Sequence, residues 1–561
     1  MTSKTLEANE YPLKDIFCDS YSFEIPRYQR PYSWKPEQAV TLVDDLLQFL
    51  DEHPKSVSEI PPYFLGSIVL IKPNSELSQI VDGQQRITTL TILFSVLRSL
   101  VSNDYKPSIE NSIFQKGDKI LMTFDKPRLK TRHRDQPFFL EYIQKERCAD
   151  DIKNYNSDKL NDSQLNMKNN YIAIHNRLYN ESINSLIRLC QLLLTKCFIV
   201  VVKTLDIDSA YRIFSVMNDR GLDLSATDIL KSLITGEISE QDRKQEYYTQ
   251  KWEDIEEQLG RDSFNALFSH IRMIEMRAKS RSNLVSDFKN HIKPNENPEK
   301  FIDEKLTPFS SSFSDILSRN FIGNESNEIN KSLFWLNEID NNDWMPAAIY
   351  YIAKYSNHSS RVSKFINMLE KVASIQMINR VAVNYRLVRY KEILDAVDNE
   401  TEFDINSPLQ LNSEEKERAK YLLNSDLYTQ TRIRKMVLLR LDYELSDGSA
   451  IYNMPIISVE HVMPQKINEK SEWHSLCSDK ELHKEWVHRL GNLTLLSRNK
   501  NSAASNYDFQ KKKIAYFSSK GTASPFILTN QVLMEDNWTI DVIECRHKKL
   551  LETLYMVWNL I

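Results

Sequence analysis

Glu460 and His461 are adjacent, Asn492 follows some thirty residues later, and Asn501 stands nine beyond that. Histidine has the side-chain pKa nearest working pH, which suits it to take a proton from water. Carboxylate and amide oxygens are the ligands preferred by a hard cation such as Mg²⁺ or Mn²⁺. Phosphodiester hydrolysis needs an activated water, a cation to neutralise charge developing on phosphate, and a fixed geometry for both. The flanking residues are patterned as well. Ser458-Val459-Glu460-His461-Val462-Met463-Pro464-Gln465 comes first, then Leu490-Gly491-Asn492-Leu493-Thr494-Leu495-Leu496, then Asn499-Lys500-Asn501 and Ser505-Asn506. Arg498, Lys500, Lys511, Lys512 and Lys513, opposed only by Asp508, form a basic run suited to a phosphate backbone, with a solvated helix face as the rival reading. His474, His483 and His488 lie on what reads as an insert and are expected to be structural.

A second constellation lies near the start of the chain. Ile25 to Trp34 packs Arg27, Tyr28, Gln29 and Arg30 together with Tyr32 and Trp34, and Asp82-Gly83-Gln84-Gln85-Arg86 falls at a strand-to-helix junction. Helix N-termini bind phosphate through unpaired N–H groups and the helix dipole. Arginine supplies bidentate phosphate contacts. A pocket built from both segments would bind a nucleotide, unless the same residues only brace the fold. The aromatic faces would stack on an extruded base or serve as core. Lys126, Arg128, Lys130, Arg132 and Arg134 alternate, as a basic strand face or a surface loop.

These groups need elements to hold them. A chain of 561 residues exceeds one hydrophobic core, so several domains are expected. Only 10 glycines occur, none close to another, which excludes a glycine-rich dinucleotide turn and a Walker A loop. The net charge of -5 leaves nucleic-acid binding to local patches. Six cysteines without a Cys-x-x-Cys pair argue against a zinc ribbon and suit a reducing compartment. The polar N-terminus, with no apolar stretch of membrane-spanning length, makes cytoplasmic the expected location, with no membrane partner. Phe64–Ile71 and Cys197–Val202 read as buried strands. Ile87, Leu90, Phe94, Leu97 and Val101 give a helix after Gly83. A further helix is expected over Ala210, Ile213, Phe214 and Met217, and Ser225-x-x-Asp228 reads as a capping box. Residues 236–400 read as a helical connector without chemistry, carrying Val362, Phe365, Leu369 and Val372 at helical spacing. A polar boundary is expected around 399–415.

The C-terminal segment resembles the HNH (ββα-metal) endonuclease superfamily, and within it the DUF1524 domain. That resemblance makes His461 the general base, Glu460 and Asn501 metal ligands, and Asn492 the residue that orients the histidine loop; glutamate stands at 460 where aspartate is commoner. The N-terminal segments resemble DUF262, related to the ParB/sulfiredoxin-like fold, as does Met217-Asn218-Asp219-Arg220-Gly221 through Asp228-Ile229-Leu230-Lys231. DUF262 implies binding and hydrolysis of a nucleoside triphosphate, with GTP, CTP, UTP and ATP left open. The pair resembles GmrSD-type, modification-dependent restriction enzymes and related phage-defence nucleases.

The expected fold is therefore α+β and helix-rich: a ParB/sulfiredoxin-like NTPase and DNA-sensing domain at 1–235, a helical connector at 236–400, and an HNH nuclease domain at 401–561. The expected function is cleavage of modified phage DNA, gated by nucleotide. A homo-oligomer or other defence-system proteins are left open as partners. The alternatives are a ParB-like DNA-binding regulator with a vestigial nuclease, and an RNA-directed nuclease toxin.

Overall fold

The structure, a computed structural model, describes every residue except 1–5, 27–28, 73–76, 118–119, 121, 123, 206–208, 210–224, 240–242, 279–281, 449–451, 453–456, 468–469, 478, 498–506 and 515–523. The helix expected over 210–217 lies outside the described residues. The chain divides into two units, one of residues 1–254 with 294–299, the other of 255–293 with 300–561. It is helix-rich α+β.

The first unit is built on a mixed sheet. Its strands are β1 (Leu6–Pro12), β2 (Ser22–Glu24), β3 (Tyr63–Ile71), β4 (Leu77–Asp82), β7 (Leu129–Lys130) and β8 (Cys197–Thr204); β5 (Phe114–Gln115) and β6 (Lys126–Pro127) form a separate pair. The order across the sheet is β1-β8-β3-β4-β2-β7, with β3 parallel to β8 and antiparallel to β4. β3 and β8 are the two apolar runs expected from the sequence, and they pair because each can be covered on both faces. The helix Gln84–Leu100 starts directly after β4 and buries Ile87, Leu90, Phe94 and Leu97.

Gly83 makes that sharp entry possible. Its φ is +89°, and a Cβ there would stand 2.4 Å from Ile68 Cγ2, so only glycine fits. Farther on, Ser225 caps the helix Ala226–Thr235 through the expected box, its side chain bound to the Asp228 amide and Asp228 to the Ser225 amide. The alternating basic residues do not form one face: Arg128 is buried against Asp19, and Arg132 against Asp135 and Glu253, while Lys126, Lys130 and Arg134 are exposed. Unpaired inward arginines would carry a large desolvation penalty, which the acids remove.

Among the described residues, the strands of the second unit are β9 (Ile457–His461) and β10 (Leu493–Ser497), and its other elements are helices. The helix Ser359–Ile378 buries Val362, Phe365, Leu369 and Val372, as their spacing requires. The polar stretch 399–415 lies inside this unit. Glu402 is fully buried there beneath Arg361 and the Tyr351 hydroxyl, and the Ser407 hydroxyl donates to the Glu402 carbonyl.

Candidate active site and nucleotide pocket

β9 and β10 pair antiparallel, with His461 opposite Leu493 and Glu460 opposite Thr494. The two motifs of the sequence thus meet across one ladder, which places Asn492 beside the turn that follows His461. Asn492 is fully buried and makes four side-chain bonds. Its Oδ1 accepts from the Met463 amide at 2.7 Å and from Trp538 Nε1 at 3.1 Å, while Nδ2 donates to the carbonyls of Met463 at 3.0 Å and Val487 at 2.9 Å. Its backbone carbonyl accepts from the Val462 amide at 2.9 Å. The loop after the histidine is therefore held by one asparagine.

Gly491 brings in a third element. A Cβ on it would fall 2.3 Å from the Ile543 carbonyl oxygen, so the turn 490–492 lies directly on the backbone of the helix Ile540–Val557. From that helix Arg546 donates to the carbonyls of Gly491, Leu493 and Leu528, and His547 Nδ1 accepts from the Gly491 amide at 3.2 Å while Nε2 donates to Asn424 Oδ1 at 2.7 Å. Burial pushes His547 down to about 4.

His461 is 4% exposed. Its Nδ1 faces Gln465 Nε2 at 3.2 Å and its Nε2 faces His488 Nδ1 at 3.1 Å. With the glutamine amide donating, the proton sits on Nε2 and is donated to His488. The Tyr428 ring covers the pair, 3.9 Å from the His461 ring and stacked on His488 at 5.6 Å. Burial, then the charges of His488, Lys512, Arg434 and His483, push His461 down to about 3, so the ring is neutral at working pH.

Glu460 is tied to Lys512, whose Nζ lies 3.1 Å from Oε1 and also donates to the His461 carbonyl at 2.8 Å. Burial raises the Glu460 carboxyl and lowers the Lys512 ammonium, each partly offset by the other's charge. Lys512 is buried, which corrects its reading as part of a phosphate-tracking face: the short helix Phe509–Lys512 turns it inward to neutralise Glu460. Lys511 and Lys513 lie instead over the rings of Tyr507 and Phe509. Asn501, Arg498 and Lys500 lie outside the described residues. Among the described residues no cluster of three or more His, Cys, Asp and Glu side chains is placed to hold a metal.

In the first unit, Gln29 is buried and its Nε2 donates to the Val81 carbonyl at 2.9 Å, joining the two expected segments. Gln85 Oε1 accepts from the amides of Ser33 and Trp34, and its Nε2 donates to the Pro31 carbonyl. Arg86 lies over Gly66 and donates to the Ser67 carbonyl at 2.8 Å. Asp82 is raised by burial and held down by the Gly83 amide, Arg86 and Arg30. Arg30 faces Asp228 at 3.9 Å, which brings in the helix Ala226–Thr235. The helix Gln84–Leu100 has no side-chain cap, and Gln29 Oε1 and Gln84 Oε1 are buried without a donor. Tyr32 is core: its hydroxyl bonds Thr89 and Asn170, which removes it as a stacking surface. Arg27, Tyr28 and residues 217–221 lie outside the described residues.

Residues 13–235 match the family model described as GmrSD restriction endonuclease, N-terminal domain, and residues 412–553 match that described as GmrSD restriction endonucleases, C-terminal domain. The chain belongs to the GmrSD restriction endonuclease family. Membership carries the activity class, a nuclease of defence systems with DNA as its substrate. No curated protein matches the chain. No helix among the described residues is long and apolar enough to cross a membrane.

The GmrSD C-terminal match begins before the 3₁₀ turn Leu427–Thr429, which carries Tyr428, and closes inside the helix Ile540–Val557, which carries His547. Sequence reasoning missed these two, along with Trp538 and the place of His488. Each comes from a separate element, and none has a spacing to Glu460-His461 that marks it. Only Gln465, inside the Glu-His-x-x-Pro-Gln run, was signalled.

Proposed function

We propose that the chain is a metal-dependent DNA endonuclease of the HNH type, gated by a nucleoside triphosphate bound in a ParB-like N-terminal domain, and directed at modified phage DNA. The observation that carries the nuclease reading is the β9–β10 pair, which brings Asn492 to the loop after Glu460-His461 and locks that loop through it. Glu460 would offer a hard cation its carboxylate Oε2, because Lys512 is bonded to Oε1 and competes with the cation for that oxygen. Mg²⁺ or Mn²⁺ bound there would stabilise charge on the phosphate. His461 takes the proton of the attacking water at Nδ1 once the Gln465 contact opens, while its Nε2–H stays donated to His488. Tyr428 and His488, both half-buried, pack against that ring.

Nucleotide binding is supported by the uncapped N-terminus of the helix Gln84–Leu100 and the donor-less oxygens of Gln29 and Gln84 beside it. One assay tests the whole reading: the protein with Mg²⁺, with and without each nucleoside triphosphate, on modified phage DNA, an unmodified copy and RNA. Cutting of modified DNA alone, with nucleotide, is expected. Equal cutting of both DNAs removes modification dependence, and cutting of RNA alone removes the DNA reading.

A further inference from the structure

His488 follows the helix Lys480–Trp486 on the way into β10, and its backbone is held on both sides. Its own carbonyl accepts from the Tyr428 amide at 3.0 Å, and the Val487 carbonyl accepts from Asn492 Nδ2 at 2.9 Å. Asn492 therefore steadies the approach to His488 as well as the loop after His461. The half-buried His488 ring is held too. Tyr428 stacks on it with 14° between the planes, and Arg434 braces Tyr428 by donating to its carbonyl at 2.7 Å and lying 4.4 Å over its ring.

These contacts fix the position of one atom. His488 Nδ1 stands 3.1 Å from His461 Nε2, with 67° between the two rings. A neutral imidazole carries its proton on one nitrogen, and the partners of the two nitrogens decide which. With the proton on Nδ1, His461 has no lone pair there to take a proton from water. With the proton on Nε2, the Nδ1 lone pair is available, and an acceptor facing Nε2 favours this form. His488 Nδ1 is such an acceptor, its own ring proton then standing on its Nε2. Gln465 Nε2, 3.2 Å from His461 Nδ1, favours the same tautomer, but Gln465 is exposed and its contact opens for water to enter. The bond to His488 persists through the step.

We propose that His488 is a positioning residue, which keeps the His461 proton on Nε2 so that Nδ1 meets the attacking water bare. The proposal rests on the reading of His461 as the general base. When the water proton reaches Nδ1, the His461 ring becomes a cation, and its Nε2–H bond to His488 becomes charge-assisted and stronger. An interaction that strengthens as the reaction proceeds raises kcat without tightening the hold on substrate.

Two substitutions separate positioning from packing. His488→Phe keeps an aromatic ring against Tyr428 and removes the acceptor. His488→Asn gives up the ring and puts an amide oxygen where Nδ1 stood. In DNA cleavage by the full chain with Mg²⁺, His488→Phe should lower kcat by about 10–100-fold with KM within about twofold, the worth of a hydrogen bond to a charged group. His488→Asn should recover most of that loss. A packing role gives the reverse order, with His488→Phe near the parent and His488→Asn impaired, and that order would overturn the proposal. His461→Ala, run alongside, tells the two readings apart. Parental cutting by His461→Ala removes the base and this proposal with it, whereas loss in His461→Ala without loss in His488→Phe removes the positioning role alone. Nitrogen NMR of the full chain with labelled histidine gives a readout that needs no cutting. His461 should show a bare Nδ1 and a protonated Nε2 in the parent and in His488→Asn, and a mixture of tautomers in His488→Phe. A proton on His461 Nδ1 in the parent would equally overturn the proposal.

Discussion

Asn492→Ala isolates how much of the loop after His461 rests on one side chain. The substitution removes four hydrogen bonds and leaves the Met463 amide and carbonyl, the Val487 carbonyl and Trp538 Nε1 buried without those partners. A buried polar group stripped of its partner costs roughly 1–3 kcal/mol. Four at the low end give about 4 kcal/mol, a large part of the 5–15 kcal/mol by which a domain is stable. At about 2–4 °C per kcal/mol, melting of the second unit should fall by roughly 8–16 °C, toward the smaller figure because the unit is large. Asn492→Asp should be almost as harmful, since it replaces an amide donor with an oxygen facing two carbonyl oxygens. The assay is thermal melting of the full chain, with amide exchange over 457–497 to locate the loss. If Asn492→Ala melts within about 2 °C of the parent, and those amides stay protected, the four bonds do not hold the loop and the reasoning fails.

The remaining predictions concern neighbouring groups. His461→Ala should keep the melting temperature and lower DNA cleavage by about 10²–10⁴-fold, the usual worth of a general base; parental turnover would remove it from that role. His488→Ala, which frees His461 Nε2, should change cleavage by a smaller factor and shift its pH profile, and an unchanged profile would mean that the contact at 3.1 Å is only packing. Gly491→Ala should destabilise by roughly 1–3 kcal/mol or more, because the new Cβ meets helix backbone that cannot yield; denaturant melts will show it. For His547 the folded pKa, about 4, lies below the unfolded value of 6.5, so the stability it contributes is complete above pH 6.5 and is lost as pH falls toward 4. The loss amounts to about 3 kcal/mol. A His547→Gln chain should lose less stability over that window than the parent, and equal losses would contradict the assignment.

The parts legible in the sequence were those carried by local pattern. Phe64–Ile71 and Cys197–Val202 are apolar over strand length, and Ile87 to Leu97 repeat at helical spacing, so the elements follow from local pattern, although Phe64 at the strand's start is exposed. Glu460-His461 and Asn492 were readable because the ladder that joins them is framed by recognisable apolar residues. What remained hidden depends on packing between distant elements. Tyr428 and His488 reach His461 from separate segments, and Trp538 and His547 reach Asn492 and Gly491 from beyond the second motif. Lys512 shows the same limit in reverse. Beside Lys511 and Lys513 it reads as solvent-facing, yet one turn of helix points it at a buried carboxylate.

The helix Ile540–Val557 clamps the turn at Gly491 through Arg546 and His547. A ribosome delivers these residues some fifty positions after Asn492, so the nascent chain carries both motifs for several seconds at about 5–20 residues per second before the clamp exists. Residues 1–254 form their own compact unit and can fold well before that moment. The turn around His461 and Asn492 is therefore clamped last, after the residues of the sheet domain have been made. A stalled or truncated chain ending before residue 540 would carry the motifs without the scissors.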